Sequence, residues 1–235
     1  MIAPENFTTT DSVLEVPSST SEKAVFFFSA MGLNNVPFHF MDISQGATYN
    51  KVFLRDDFNI WYHKGLIGHT ANLNDTTDFL GELIRQRGFK RVTFVGMSAG
   101  GFAAILFGAR VGVDVVHAFS PRTFLDLGKT IRYHDFRRAG CQLRVHSLRV
   151  HKILDLKPLL HESDGPTKYF IHYCSGSRVD RVHALNLGQN QKVNLYSYPC
   201  SSHRVGKYLK DQKSLSQILE IEDFETMQPL YASLT

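Results

Sequence analysis

With 235 residues, 43% of them hydrophobic, the chain can bury one substantial core, and at this length one α/β domain spanning 1–235 is expected rather than two. A formal net charge of +4 is mild for such a chain, and with no concentrated basic face interleaved with stacking aromatics and no recognition motif it argues against nucleic acid as a partner. No apolar run approaches the roughly 20 residues needed to span a bilayer, and the polar opening MIAPENFTTTDSVLEVPSS lacks a basic-then-apolar leader, so neither a membrane segment nor a secretory signal is expected.

The first expected strand is KAVFFFSA, 23–30, a β-prone apolar run closed by Met31-Gly32 and readable as buried on both faces. A second covers 51–56. It leads into RDDFNIWYHKG, where Trp61 and Tyr62 either line a substrate pocket or pin a surface loop. Leu73, Phe79, Leu80, Leu83 and Ile84 recur at helical spacing, with Asn74 or Asp75 placed to cap the helix and Gly88 to end it. Further strands are expected over 91–97, 113–120, 167–174 and 192–198, and helices over 99–110, 180–188 and 203–219. This alternation predicts an α/β fold, a mostly parallel sheet with helices on both faces, whose chemistry sits at the carboxyl ends of the strands.

The connection 122–166 is too long for one ordinary crossover and reads as an inserted helical cap. Its stretch 122–157 carries Arg122, Lys129, Arg132, Arg137, Arg138, Arg144, Arg149, Lys152 and Lys157 against only Asp126, Asp135 and Asp155. That excess is either a steering surface for an anionic substrate or partner, or a set of solvated helix faces. Cys141, Cys174 and Cys200 form an odd set with neither CxxC nor zinc spacing, so no disulfide framework and no metal site is expected, and a reducing, cytoplasmic setting fits. No organic cofactor is suggested either.

Between the strand 91–97 and the helix behind it stands Gly96-Met97-Ser98-Ala99-Gly100. A strand ending at Gly96 and a helix starting near Ala99 would hold Ser98 on a sharp turn at the sheet edge, the flanking glycines relieving the crowding. The same small residues would also serve plain helix-on-sheet packing. Strand before and helix after make the nucleophile reading the more specific one.

The stretch VTFVGMSAGGFAA resembles the nucleophile elbow of the α/β-hydrolase superfamily, a likeness that runs from the strand at 24 to the helix after 203, with little room before it for the first two strands usual in that fold. GMSAGGFAAILFG followed by HAFSP is also similar to hydrolase-like proteins associated with bacterial surface-glycan assembly. The resemblance implies the chain order nucleophile, acid, histidine. It places the base after the last strand, where His203 stands, and the acid after the penultimate one, where Asp180 stands; the bland role for Asp180 is a helix cap or first-turn carboxylate, and Asp126 is the second choice of acid. A serine hydroxyl needs an imidazole to take its proton and a carboxylate to orient that imidazole. An oxyanion hole is implied too, from the N–H of Ala99 and that of Ala30 or Met31, the latter two assigned by position because FFFSAMGLNN departs from the HGGG-type loop. Of the other histidines, His117 and His172 fall in expected strands and read as satisfied core groups, while His134, His146, His151 and His161 belong to the basic insertion.

The reading that follows is a serine hydrolase cleaving an ester or thioester through an acyl-enzyme on Ser98, acting on a small-molecule or glycan-linked acyl substrate. One alternative is an acyltransferase that passes the acyl group to a sugar or other alcohol. Another is a binding protein that kept the fold without turnover.

Overall fold

A computed structural model describes residues 11–32 and 38–234. Of the segment 31–65 expected to shape the substrate pocket, 33–37 lie outside the described residues. Seven strands form one sheet: β1 (Val13–Val16), β2 (Lys23–Phe28), β3 (Asn50–Leu54), β4 (Arg91–Met97), β5 (Val115–Phe119), β6 (Lys168–Cys174) and β7 (Val193–Tyr198). Their order is β1-β3-β2-β4-β5-β6-β7, with only β1 antiparallel to its neighbour. The chain steps outward from β2 to β3 and then returns past β2 to β4. The crevice at the carboxyl ends of β2 and β4 is therefore the topological switch point, where open α/β sheets bind ligands.

The β2 sequence explains its central place, since alternate residues feed two cores. Ala24, Phe26 and Phe28 enter one cluster with Leu54, Phe94 and the helix α2 (Ala99–Val111), and Val25 and Phe27 enter the other with Phe53, Val95 and Phe119. The helix α1 (Leu73–Arg87) is capped by Asn72, not by Asn74 or Asp75, because the Asn72 side chain sits one residue outside the helix and accepts from both of their backbone N–H groups. Gly88 ends it with a left-handed backbone, φ 67°.

The insertion between β5 and β6 is helical, with α3 (Leu127–Tyr133), α4 (Ala139–Ser147) and α5 (Leu156–Glu162). Leu156 and Leu160 of α5 join the core beside α2, which is why the sequence of α2 is apolar on all sides. After β6 comes α6 (Arg178–Leu187), and the expected helix 203–219 is broken into α7 (Val205–Asp211) and α8 (Leu215–Ile218) by a left-handed Lys213, φ 56°. A last helix, α9 (Phe224–Ala232), packs Met227 into the second core.

One expectation is overturned: Cys174 and Cys200 form a disulfide, and Cys141 is the free thiol among the described residues. β6 and β7 run parallel with Cys174 opposite Tyr198, which brings Cys200, two residues farther on, back beside β6. Spacing along the chain does not reveal such a pairing, and the bond removes the ground on which a reducing compartment was favoured. No helix among the described residues is long and apolar enough to cross a membrane.

Candidate active site

Ser98 sits where β4 turns into α2, with φ 54° and ψ −112°, a strained conformation for a residue bearing a side chain. It is locked there by three backbone bonds: its N–H donates to Phe119 O (2.9 Å), and its carbonyl accepts from Phe102 N (3.1 Å) and Arg122 N (3.2 Å). A Cβ on Gly96 would stand 2.1 Å from the Gly100 carbonyl oxygen, and one on Gly100 would stand 2.0 Å from that of Phe28. Helix α2 thus starts pressed against the ends of both β4 and β2. The Ser98 side chain makes no capping bond to α2, which leaves its Oγ available.

That hydroxyl lies 2.9 Å from Nε2 of His203, whose Nδ1 is 2.5 Å from Oδ1 of Asp180. A carboxylate only accepts, so His203 Nδ1–H donates to Asp180 and Nε2 is left to accept the Ser98 hydroxyl proton. Asp180 is in the first turn of α6, and Ser177, not Asp180, caps that helix. Its side chain is fully buried, with Oδ2 accepting from Ser120 Oγ at 2.8 Å. Burial pushes the Asp180 carboxyl up. The bonds from His203 and Ser120 and the nearby Arg137 charge outweigh burial, and its pKa is lowered overall.

The acid and histidine loops are packed together as well. Gly176 N–H donates to Cys200 O (3.1 Å), and a Cβ on Gly176 would be 2.9 Å from that oxygen. The other expected acid, Asp126, is the N-cap of α3 and accepts from Lys129 N. Among the described residues no cluster of histidine, cysteine or carboxylate side chains could hold a metal ion.

Of the expected oxyanion donors, Ala99 presents its N–H at the start of α2, whereas the Ala30 N–H is already donated to His39 Nδ1 (3.2 Å). His39 was not anticipated; its own N–H donates to the buried Ser29 Oγ (3.1 Å), so it closes back over the end of β2. The next residue, Met31, is followed by Gly32 (φ 75°), whose N–H donates to Asn59 Oδ1 at 3.0 Å.

Asn59 belongs to a loop built around buried Asp56, which accepts from Ile60 N (2.6 Å) and Tyr62 N (3.1 Å). Burial raises the Asp56 pKa to about 6 against the pull of those bonds. Asn59, Trp61 and Tyr62 all have positive φ. Trp61 and Tyr62 therefore turn into the interior and do not line an open wall. The Tyr62 hydroxyl donates to the carbonyls of Ser29 (3.0 Å) and Leu54 (3.1 Å), and the Trp61 ring carries the Arg122 guanidinium 5.4 Å from its centroid. Both aromatics act as a buttress behind the β2 loop.

The link between α3 and α4 reaches the site through one carboxylate. Asp135 is fully buried and accepts from Arg137 (Nε 2.8 Å, Nη2 3.2 Å), Arg122 (Nη2 3.0 Å) and His183 (Nε2 2.9 Å). Burial raises its pKa, but His183 and the two arginines more than reverse that and lower it overall. His183 accepts from Thr123 N at Nδ1 (3.1 Å), so it donates from Nε2 and is neutral; burial brings its pKa down to about 4. Arg137 then places Nη1 3.7 Å from the same Asp180 oxygen that holds His203. Arg138, the next residue, has Nη2 3.5 Å from the position a Cβ on Gly32 would take.

No family model and no curated protein matches the sequence. Solved structures do. A capsule O-acetyltransferase of Neisseria meningitidis serogroup A is similar over 91% of this chain and 97% of its own, with TM-score 0.64 and 15% identity. A monoacylglycerol lipase of Paleococcus ferrophilus is similar over 88% and 98%, with TM-score 0.54 and 11% identity. A glycosylation-associated protein complex of Streptococcus agalactiae is similar over 86% of this chain and 42% of that one, with TM-score 0.58 and 15% identity. The sheet order, the elbow after β4 and these likenesses together give the chain the α/β-hydrolase fold.

Proposed function

We propose that the protein transfers acyl groups through Ser98, as a serine hydrolase of esters or thioesters. One observation carries the reading: Ser98, His203 and Asp180 form an unbroken hydrogen-bonded series at the switch point of the sheet, 2.9 and 2.5 Å apart. Ser98 Oγ attacks the acyl carbonyl as its proton passes to His203 Nε2. The imidazolium that results is stabilised by Asp180 and gives the proton to the leaving oxygen or sulfur. Water, deprotonated by the same nitrogen, then attacks the acyl-enzyme and releases the acid and Ser98. The Ala99 and Met31 N–H groups receive the oxyanion, an effect worth about 3 kcal/mol per donor. A cavity of about 270 Å³ lined by His39, Phe40, Asp42, Met97, Gly206 and Lys210 lies beside Met97 of the elbow and offers space for an acyl group.

A second reading, delivery of the acyl group to a sugar hydroxyl in place of water, is favoured by the near-complete overlap with the capsule O-acetyltransferase, a protein whose structure has also been solved with CoA. The test is labelling with a fluorophosphonate probe. Folded wild-type protein is expected to label, and Ser98→Ala to lose the label together with roughly 10⁴-fold or more of any esterase activity. Folded protein that takes up no probe would refute both readings and leave a binding protein. Consumption of an acyl donor that depends on added sugar would select the transferase.

A further inference from the structure

The link 134–138 places its two consecutive arginines against two different parts of the site. Arg137 reaches the acid, 3.7 Å from Asp180, and Arg138 reaches the oxyanion loop, where Nη2 is 3.5 Å from the Cβ position of Gly32. The Arg137 fork is fixed, since Nε and Nη2 are spent on buried Asp135, while Nη1 has no hydrogen-bond acceptor among the described residues. Its side chain remains 37% exposed. Arg138 is exposed and has no ion-pair partner among the described residues, and its backbone is left-handed (φ 68°) although it is no glycine. A strained conformation that aims a cation at an active-site loop points to a use for that cation.

The charges carried by the acid and histidine loops have the same sign. Arg178, next to the acid loop, and Arg204, next to His203, are exposed and unpaired among the described residues. The loops 29–32, 175–178 and 199–204 contain no carboxylate. Asp180 and Asp135 are fully buried and already matched by His203, Arg122, Arg137 and neutral His183, and Asp42, on the acyl cavity, is paired with Lys210. A rim of one sign around a recessed nucleophile concentrates anions there, and a fixed guanidinium fork binds an oxyanion with direction as well as charge.

We propose that Arg137 and Arg138 form an anion clamp over Ser98, so that the substrate carries a phosphate or carboxylate next to the acyl bond that is cleaved. This rests on the acyl-transfer reading of the same site, and it deepens that reading by assigning the substrate class. The bound anion bridges Nη1 of Arg137 and the Arg138 guanidinium, which sets the acyl carbonyl between Ser98 Oγ and the Ala99 N–H.

The test separates the clamp from the chemistry. Binding is measured by calorimetry on Ser98→Ala with two ligands: acetyl phosphate, anionic on the leaving group, and a succinate monoester, anionic on the acyl side. At least one of the two is expected to bind, more weakly as salt is raised, and the one that binds shows which side of the bond bears the charge. Adding Arg138→Gln is expected to weaken that binding by roughly tenfold or more, with part recovered in Arg138→Lys. Retained binding in Arg138→Gln, or no binding of either anion to folded Ser98→Ala, would overturn the clamp. In wild-type protein, the ratio of kcat/KM for the bound anionic ester over neutral p-nitrophenyl acetate is expected to fall by a similar factor in Arg138→Gln. Absence of fluorophosphonate labelling, by contrast, would defeat the serine reading without touching the binding result.

Discussion

A methyl group on Gly100 would have to share space with the Phe28 carbonyl, 2.0 Å away, and backbone at the end of β2 has nowhere to move. Gly81, in the middle of α1, meets nothing within 4 Å. The same substitution at the two positions is therefore expected to have opposite effects. Urea denaturation should show Gly81→Ala more stable by about 0.5–1 kcal/mol, and Gly100→Ala less stable by roughly 3 kcal/mol or unable to fold. The positions of Ser98, Asp180 and His203 were legible because each follows a strand that an apolar run announces. The glycines of the elbow let α2 approach closely, and that approach is what holds Ser98 in its strained turn. Trp61 and Tyr62 were not legible: aromatic residues in a charged stretch suggest a pocket wall, and only the positive φ values, imposed by Asp56 and the β2 loop, turn them inward.

Among the elements, the cap depends most on one residue. Asp135 is matched to Arg122 and Arg137 and to His183 of α6, 48 residues away. In Asp135→Asn those two guanidinium groups lose their counter-charge in a buried site. The variant is expected to be less stable by roughly 3 kcal/mol, and protease should then cut first between α3 and α4, as mass spectrometry of the fragments would record. An unchanged midpoint would show that the cap holds without this hub. Nothing in the sequence marked Asp135, because an acid within a basic run looks like any surface counter-charge until its partner on α6 is known. The strands rich in Val and Phe were readable within a residue or two, whereas β1 was missed: it is short, lies at the sheet edge and carries Glu15 among its four residues. Edge strands owe their place to pairing more than to burial, and pairing leaves little trace in composition.

For the molecule as a whole, the interior histidines set the response to acid. Tyr198 O–H donates to His172 Nδ1 (3.0 Å), His172 Nε2–H to His117 Nδ1 (3.1 Å) and His117 Nε2–H to Ile221 O (2.9 Å), a fully matched series only when both rings are neutral. Burial lowers the His117 pKa to about 4 and puts that of His172 well below its ordinary value. Their folded values lie below the unfolded one, so the unfolded chain takes up protons first, and stability present at neutral pH is lost as pH falls below about 6.5. Near pH 5 the loss from His117 alone is about 2 kcal/mol. Urea midpoints at pH about 7.5 and about 5 should differ accordingly, and equal midpoints would mean that these rings take up protons in the fold as readily as in the unfolded chain. The disulfide bears on the whole molecule in another way. Asp180 and His203 are 23 residues apart along the backbone, but the Cys174–Cys200 bond gives them a covalent route less than half as long, one that bypasses β7. The ring that this bond closes runs from Cys174 to Cys200: Asp180 lies within it and His203 just beyond it, so the loops that carry the two side chains share one covalent anchor. A thiol reductant removes that anchor and leaves the two loops joined by the pairing of β6 with β7 and the Gly176–Cys200 backbone bond alone.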